Sequence, residues 1–61
     1  MMVNGVEWYY ENNRTVVKNH NSYSVYITPI MSESTRYDEF QLSGGSHTYI
    51  NGEVQTLNIQ S

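Results

Sequence analysis

The sequence predicts a small all-β domain, and three observations support that fold class. First, no alanine occurs among the 61 residues, although alanine is the best helix former. Second, six Tyr, six Val, five Thr and four Ile supply side chains that suit a pleated surface. Third, Asn-Asn, Gly-Gly and Asn-Gly dipeptides separate short segments, as turns separate antiparallel strands. We expect one domain over residues 1–61, a small antiparallel sandwich or partly open barrel of five to six short strands.

The first two strands are predicted at Val6–Glu11 and Arg14–Lys18, joined by a two-residue turn at Asn12-Asn13. Asn tolerates the positive φ that a type I′ turn needs at both central positions. With this turn, Glu11 lies opposite Arg14, and Glu7 lies opposite Lys18. Opposite charges that face each other across two strands stabilise an antiparallel pair.

A third strand that ends at Pro29 is expected to complete an N-terminal three-strand meander. A three-residue loop at Asn19–Asn21 places Tyr23 across from Val17 and Val25 across from Thr15. This register gathers most of the apolar side chains on one face: Val6, Trp8, Tyr10, Val17, Tyr23, Val25 and Ile27. Tyr9, Val16 and Tyr26 fall on the opposite, polar face. Proline cannot donate to a ladder, so Pro29 marks a strand end or an edge.

The segment after Pro29 has two interpretations. Met31–Arg36 is polar and predicts a loop. Thr35 and Asp38 match a capping box, so Arg36–Leu42 could form one or two helical turns. A strand through Tyr37–Leu42 is the favoured alternative, because so short a helix has little stability of its own.

The last two strands are predicted as a C-terminal hairpin. Ser46–Ile50 and Val54–Gln60 flank Asn51-Gly52, a strong hairpin signal. Their facing is inconsistent, because Tyr49 and Val54 share one face while Leu57 and Ile59 take the other. A bulge, or burial of both faces, would reconcile the pattern.

The size of the chain favours association with a partner. A domain of this length buries only about 60% of the surface that its unfolded chain exposes. The sequence has no cysteine, which excludes disulfides and thiolate metal sites. Self-association or docking on another protein is therefore expected to complete the domain.

Charge and hydropathy argue against several classes of function. The net charge is −3 and the three basic residues are scattered, whereas nucleic-acid binding needs clustered cations. No apolar run is long enough for a membrane-spanning helix, and no signal peptide is recognisable, so the cytoplasm is the default location. Abundant Asn, Tyr, Ile and Ser with few Arg and Pro suggest AT-rich codons, as in a low-GC bacterium or a phage.

The sequence contains no motif of a known catalytic or metal site. His20 and His47 are the two imidazoles that could serve in acid–base chemistry, and either could pair with a carboxylate such as Glu33, Asp38 or Glu39. Nucleophile-elbow, zinc-protease and phosphate-loop motifs are missing. The two His and the carboxylates lack ligand spacing on one strand face. We therefore expect no enzyme, no metal and no cofactor.

Aromatic side chains are the best candidates for a binding site. We expect Tyr9, Tyr26, Trp8 and Tyr37 to carry it, because Tyr and Trp dominate interface hot spots. The favoured function is a non-enzymatic protein-interaction or assembly module, for example a small bacterial or phage inhibitor, that acts through a strand face or a sheet edge. The alternative is a carbohydrate-binding module that uses exposed Tyr or Trp rings.

Overall fold

The structure is a computed structural model that describes all 61 residues and contains eight strands and no helix. The strands are β1 (Met2–Val3), β2 (Val6–Glu11), β3 (Arg14–Asn19), β4 (Val25–Ser32), β5 (Thr35–Arg36), β6 (Phe40–Leu42), β7 (His47–Asn51) and β8 (Thr56–Gln60). They form two antiparallel sheets, which confirms the predicted all-β class, but the strands number eight rather than the expected five to six, because the two-residue strands β1 and β5 were not predicted. The first sheet has the order β1-β2-β3-β7. In the second, β4 is central, with β8 on one side and β5 and β6 on the other.

The predicted β2–β3 hairpin is confirmed in its register. Glu11 pairs with Arg14, and Glu7 pairs with Lys18. Asn12 and Asn13 have φ values of 55° and 65°, which is the left-handed conformation that a type I′ turn requires. A second tight turn at Asn4-Gly5 adds the short strand β1 to the outside of β2.

The expected third strand of the N-terminal meander is wrong. β4 belongs to the second sheet, and β3 pairs with β7 instead, with Thr15 opposite Ile50. The chain leaves the first sheet at Asn19, a buried side chain that is only 1% exposed. Its amide donates to the carbonyl oxygens of Tyr23, Leu42 and Ser43 at 2.9–3.2 Å. These bonds satisfy the backbone carbonyls where the chain crosses to the second sheet, and side chains of β4 share one core with those of β2 and β3.

Of the seven side chains predicted to share the buried apolar face, five are buried and two are exposed. Val6, Trp8, Val17, Val25 and Ile27 are buried in the core. Tyr10 and Tyr23 are 47% and 52% exposed; Tyr10 lies next to the turn at the end of β2, and Tyr23 lies in the connection between β3 and β4. Val16, predicted on the polar face, is only 3% exposed.

Pro29 does not end a strand or lie at an edge, because β4 continues through it to Ser32. Pro29 is opposite Leu57 of β8 on one side, and its carbonyl accepts from the Tyr37 N–H at 2.9 Å on the other. The β4 register shifts between Ile30 and Ser32, next to the gap between β6 and β5. The missing N–H of proline points into this gap, so no ladder bond is lost.

The segment 36–42 forms no helix. The strand interpretation holds for Phe40–Leu42, while Tyr37–Glu39 connect β5 to β6 without regular structure. The predicted loop Met31–Arg36 is wrong at both ends, since Met31 and Ser32 finish β4 and Thr35–Arg36 form β5. Pairing with β4 supplies the hydrogen bonds that an isolated helical turn would have lacked.

The predicted C-terminal hairpin is also wrong, because β7 and β8 lie in different sheets. Gly52 does adopt a positive φ of 86°, but the turn directs the chain across the domain. Val54 is buried there at 8% exposure. The Thr15 hydroxyl donates to the Gly52 carbonyl at 2.8 Å and accepts from the Val54 N–H at 3.2 Å. The apolar side chains of Ser46–Ile50 and Val54–Gln60 did not fall on one face of a hairpin because β7 and β8 face the core from different sheets.

The core lies between the two sheets and is small. Nine buried side chains form it: Val6, Trp8, Val17, Val25, Ile27, Leu42, Ile50, Val54 and Leu57. Met31, Phe40 and Ile59 pack against its rim. Nothing in the structure has the helical length and apolar character needed to span a bilayer.

Candidate functional site

One long edge of the first sheet, formed by β7, has no neighbouring strand. β7 pairs with β3 alone. The Asn19 N–H donates to the Ser46 carbonyl, and the Gly52 N–H donates to the Asn13 carbonyl. Hydrogen-bonding direction alternates along an antiparallel strand, so the backbone groups of His47, Tyr49 and Asn51 point away from β3. These three residues present a row of donors and acceptors at the free edge.

A groove runs beside this edge, between β7 and the connection from β5 to β6. We call it the edge groove, and its lining residues are Tyr37, Asp38, Phe40, Thr48, Tyr49, Ile50 and Asn51. The Tyr37 hydroxyl donates to the Asn51 carbonyl at 3.1 Å, which occupies one acceptor of the edge. Tyr37 and Tyr49 remain 41% and 49% exposed. The groove therefore offers aromatic surface next to open backbone groups.

The outer face of the first sheet carries a row of three side chains, Tyr9, Val16 and Tyr49, on three adjacent strands. The register places Val16 between the two tyrosines. Their rings and the neighbouring Arg14 and Lys18 stems explain why Val16 is buried on a face that was predicted to be polar. We call these three residues the tyrosine row.

Two cations cover the tyrosine row. The Arg14 guanidinium lies 4.0 Å from the centroid of the Tyr49 ring, and the Lys18 ammonium lies 5.5 Å from that of Tyr9. Both distances are within the range of cation–π attraction. The Tyr9 side chain raises the pKa of Lys18. His47 meets Tyr49 edge to face, with ring centroids 5.7 Å apart.

A surface hydrogen bond between a histidine and a carboxylate lies beside this row. The His20 Nε2 atom is 2.8 Å from a Glu7 carboxylate oxygen, and this hydrogen bond lowers the pKa of Glu7. Both side chains are well exposed, so the pair contributes little to stability. Glu7 lies opposite Lys18 in register, yet its close partner is His20.

The outer face of the second sheet has a different chemistry. Tyr26 of β4 is 44% exposed and lies opposite Gln60 of β8 and Gln41 of β6. An aromatic ring is thus flanked by two side-chain amides on adjacent strands. We call these three residues the amide row.

The four residues predicted to bind a partner do not form one site. Trp8 is 7% exposed and belongs to the core. Tyr9 is half-buried in the tyrosine row, and Tyr26 lies on the other sheet, facing away. Tyr37 lines the edge groove. Tyr49 was not predicted as a site residue, yet it lines the groove and belongs to the tyrosine row; the signal for it was its alternation with the apolar Ile50 along the strand.

The residues considered for catalysis lie apart. His20 is engaged with Glu7, and His47 packs on Tyr49, while Glu33, Asp38 and Glu39 are exposed in and around the β5–β6 region. No three His, Asp or Glu side chains converge in a way that could hold a metal ion.

Comparison of the chain with protein-family models, with curated proteins and with solved structures finds no match.

Proposed function

We propose that this protein is a non-enzymatic interaction module that binds an extended segment of another polypeptide along the free edge of β7. The observation that carries the proposal is the unpaired backbone of His47 and Tyr49 beside the edge groove. An added strand would take its hydrogen bonds from these residues, which is the general mode of β-augmentation.

The composition of β7 supports this use of the edge. Soluble proteins protect free edges with Lys, Pro, bulges or very short strands. At the other edge of the first sheet, the two-residue strand β1 covers the first part of β2. In the second sheet, β5 and β6 are short and separated by an irregular segment. β7 has five residues, His47–Asn51, without a formal charge, a proline or a bulge. An edge of this kind is suited to a partner strand.

The edge of β8 is also unpaired, but its chemistry is weaker for binding. Its exposed side chains are Thr56, Asn58 and Gln60. At β7, Tyr49 and Tyr37 provide half-exposed rings, and tyrosine is enriched among residues that dominate binding energy. A strand added to β7 would present alternate side chains to the tyrosine row and to the edge groove.

The proposal is tested by selecting peptides from a random display library and mapping their contacts by amide NMR. We expect selected peptides to shift the His47 and Tyr49 amide signals. Binding is expected to disappear in His47→Pro, which removes an outward N–H at the first residue of the strand, where proline is tolerated. His47→Ala keeps that N–H and serves as the matched control. Peptides that shift other amides, or that bind His47→Pro equally well, would contradict the proposal.

Carbohydrate binding is the second candidate, and the amide row is the observation that favours it. A sugar ring could stack on Tyr26 while Gln41 and Gln60 bond to its hydroxyl groups. A glycan array with the wild type and Tyr26→Ser tests this function. A glycan retained by the wild type and lost by the variant would support it, and retention by both would exclude the Tyr26 ring as its platform.

A further inference from the structure

We propose that one partner of the β7 edge is a second copy of this chain, paired antiparallel across a two-fold axis at Thr48. This inference rests on the proposed use of the edge and names its occupant. The paired β7 strands would join two four-stranded sheets into one continuous sheet of eight strands.

The two-fold axis follows from which edge groups are open. Three residues of β7 point their backbone outward, and the Tyr37 hydroxyl already occupies the carbonyl of Asn51. His47 and Tyr49 remain, and the residue midway between them is Thr48. A two-fold axis at Thr48 pairs His47 with Tyr49 of the second copy, and Tyr49 with its His47. Each pair exchanges two backbone hydrogen bonds, and the bond from Tyr37 stays intact.

The side chains are self-complementary in this register. On the outer face, His47 of one copy meets Tyr49 of the other, and these two ring types already pack edge to face within one chain at 5.7 Å. On the inner face, the two Thr48 side chains lie opposite each other, which is a favourable cross-strand pair. β7 carries no formal charge, so no like charges face each other directly at the new strand pair.

A second copy at this edge would also cover apolar surface that the small domain leaves exposed. The core holds nine buried side chains, and Tyr37, Phe40 and Tyr49 leave aromatic surface in the edge groove. Pairing of one strand from each copy makes a small interface, so we expect a dimer that dissociates on dilution.

Cysteine cross-linking tests the register, because the chain has no native cysteine. Directly opposed residues of a non-hydrogen-bonded pair have Cα atoms about 4.5 Å apart, which is within disulfide range. We expect Thr48→Cys to form a disulfide-linked dimer under mild oxidation. Thr56→Cys, on the exposed side of β8, is the matched control and is expected to remain a single chain.

Solution mass over a concentration series provides the second measurement. The wild type and the exposed-site variant Thr56→Ala are expected to approach twice the chain mass at high concentration, whereas His47→Pro stays at one chain mass. A wild type of one chain mass throughout, or equal cross-linking of the two cysteine variants, overturns the inference. If peptides still shift the His47 and Tyr49 amides in that case, the edge binds other polypeptides and only the self-pairing is refuted.

Discussion

Replacement of Thr15 by valine tests whether the Thr15 hydroxyl stabilises the turn that follows β7. The Thr15 side chain is 1% exposed, and its hydroxyl bonds both the Gly52 carbonyl and the Val54 N–H. These bonds tie β3 to the turn that follows β7. Valine has nearly the same shape but no hydroxyl, so Thr15→Val leaves two backbone groups without their partner.

The expected loss follows from those two groups. A buried polar group without a partner costs about 1–3 kcal/mol, and the Gly52 carbonyl is only part-buried and so costs about 1 kcal/mol; we therefore expect Thr15→Val to lower the free energy of unfolding by roughly 2–4 kcal/mol. A domain of this size has a total stability of about 3–9 kcal/mol, so the loss is a large fraction of it. At about 8 °C per kcal/mol for a small domain, the melting temperature falls by roughly 15–30 °C.

Urea unfolding followed by tryptophan fluorescence measures this loss. Trp8 is the single tryptophan and is buried, so its emission reports on the core. Thr15→Ser keeps the hydroxyl and is expected to lose only the methyl contribution, about 1 kcal/mol. Thr56→Val, at an exposed site, is expected to stay within about 0.5 kcal/mol of the wild type. A Thr15→Val variant as stable as Thr56→Val would refute the reasoning.

Three further substitutions have defined outcomes. Trp8→Ala removes the largest core side chain and is expected to cost about 3–5 kcal/mol in calorimetry or circular dichroism; a fully folded variant would refute the core. Gly52→Val places a β-branched residue at a φ of 86°, so we expect about 1–3 kcal/mol of destabilisation, and an unchanged melting temperature would argue against this turn. For Glu7, the lowered pKa means that its stabilisation is present above the ordinary value of 4.5 and is lost as the pH falls through the lowered pKa. The small stability difference between the wild type and Glu7→Gln should therefore shrink in acid, and a difference that grows below pH 4.5 would contradict the sign.

Local features of the fold were predictable, and the pairing of distant strands was not. The Asn12-Asn13 turn and the β2–β3 register follow from turn chemistry and cross-strand charge pairs within a dozen residues. The sequence gives no equivalent signal for the pairing of β3 with β7. That pairing is accompanied by side-chain hydrogen bonds of Asn19 and Thr15, which reach residues 23 to 39 positions away. In the sequence, both look like ordinary polar strand residues.

The contrast between local features and distant strand pairing also explains why the candidate site was only partly predicted. Aromatic composition indicated binding, and alternation along a strand indicated which rings point outward. Whether a ring lies at an edge depends on strand order. Strand order is set by the three connections that cross between the sheets, two of which (β3 to β4 and β7 to β8) were predicted to join neighbouring strands of one sheet. Because β4 lies in the second sheet and not beside β3 as predicted, β3 pairs with β7, and β7 forms the edge of the first sheet. Tyr49 thereby lies at an open edge, and Tyr37 closes one end of it. The interaction surface thus follows from the crossovers, which is why the Thr15 substitution is expected to disturb the binding edge as well as the core.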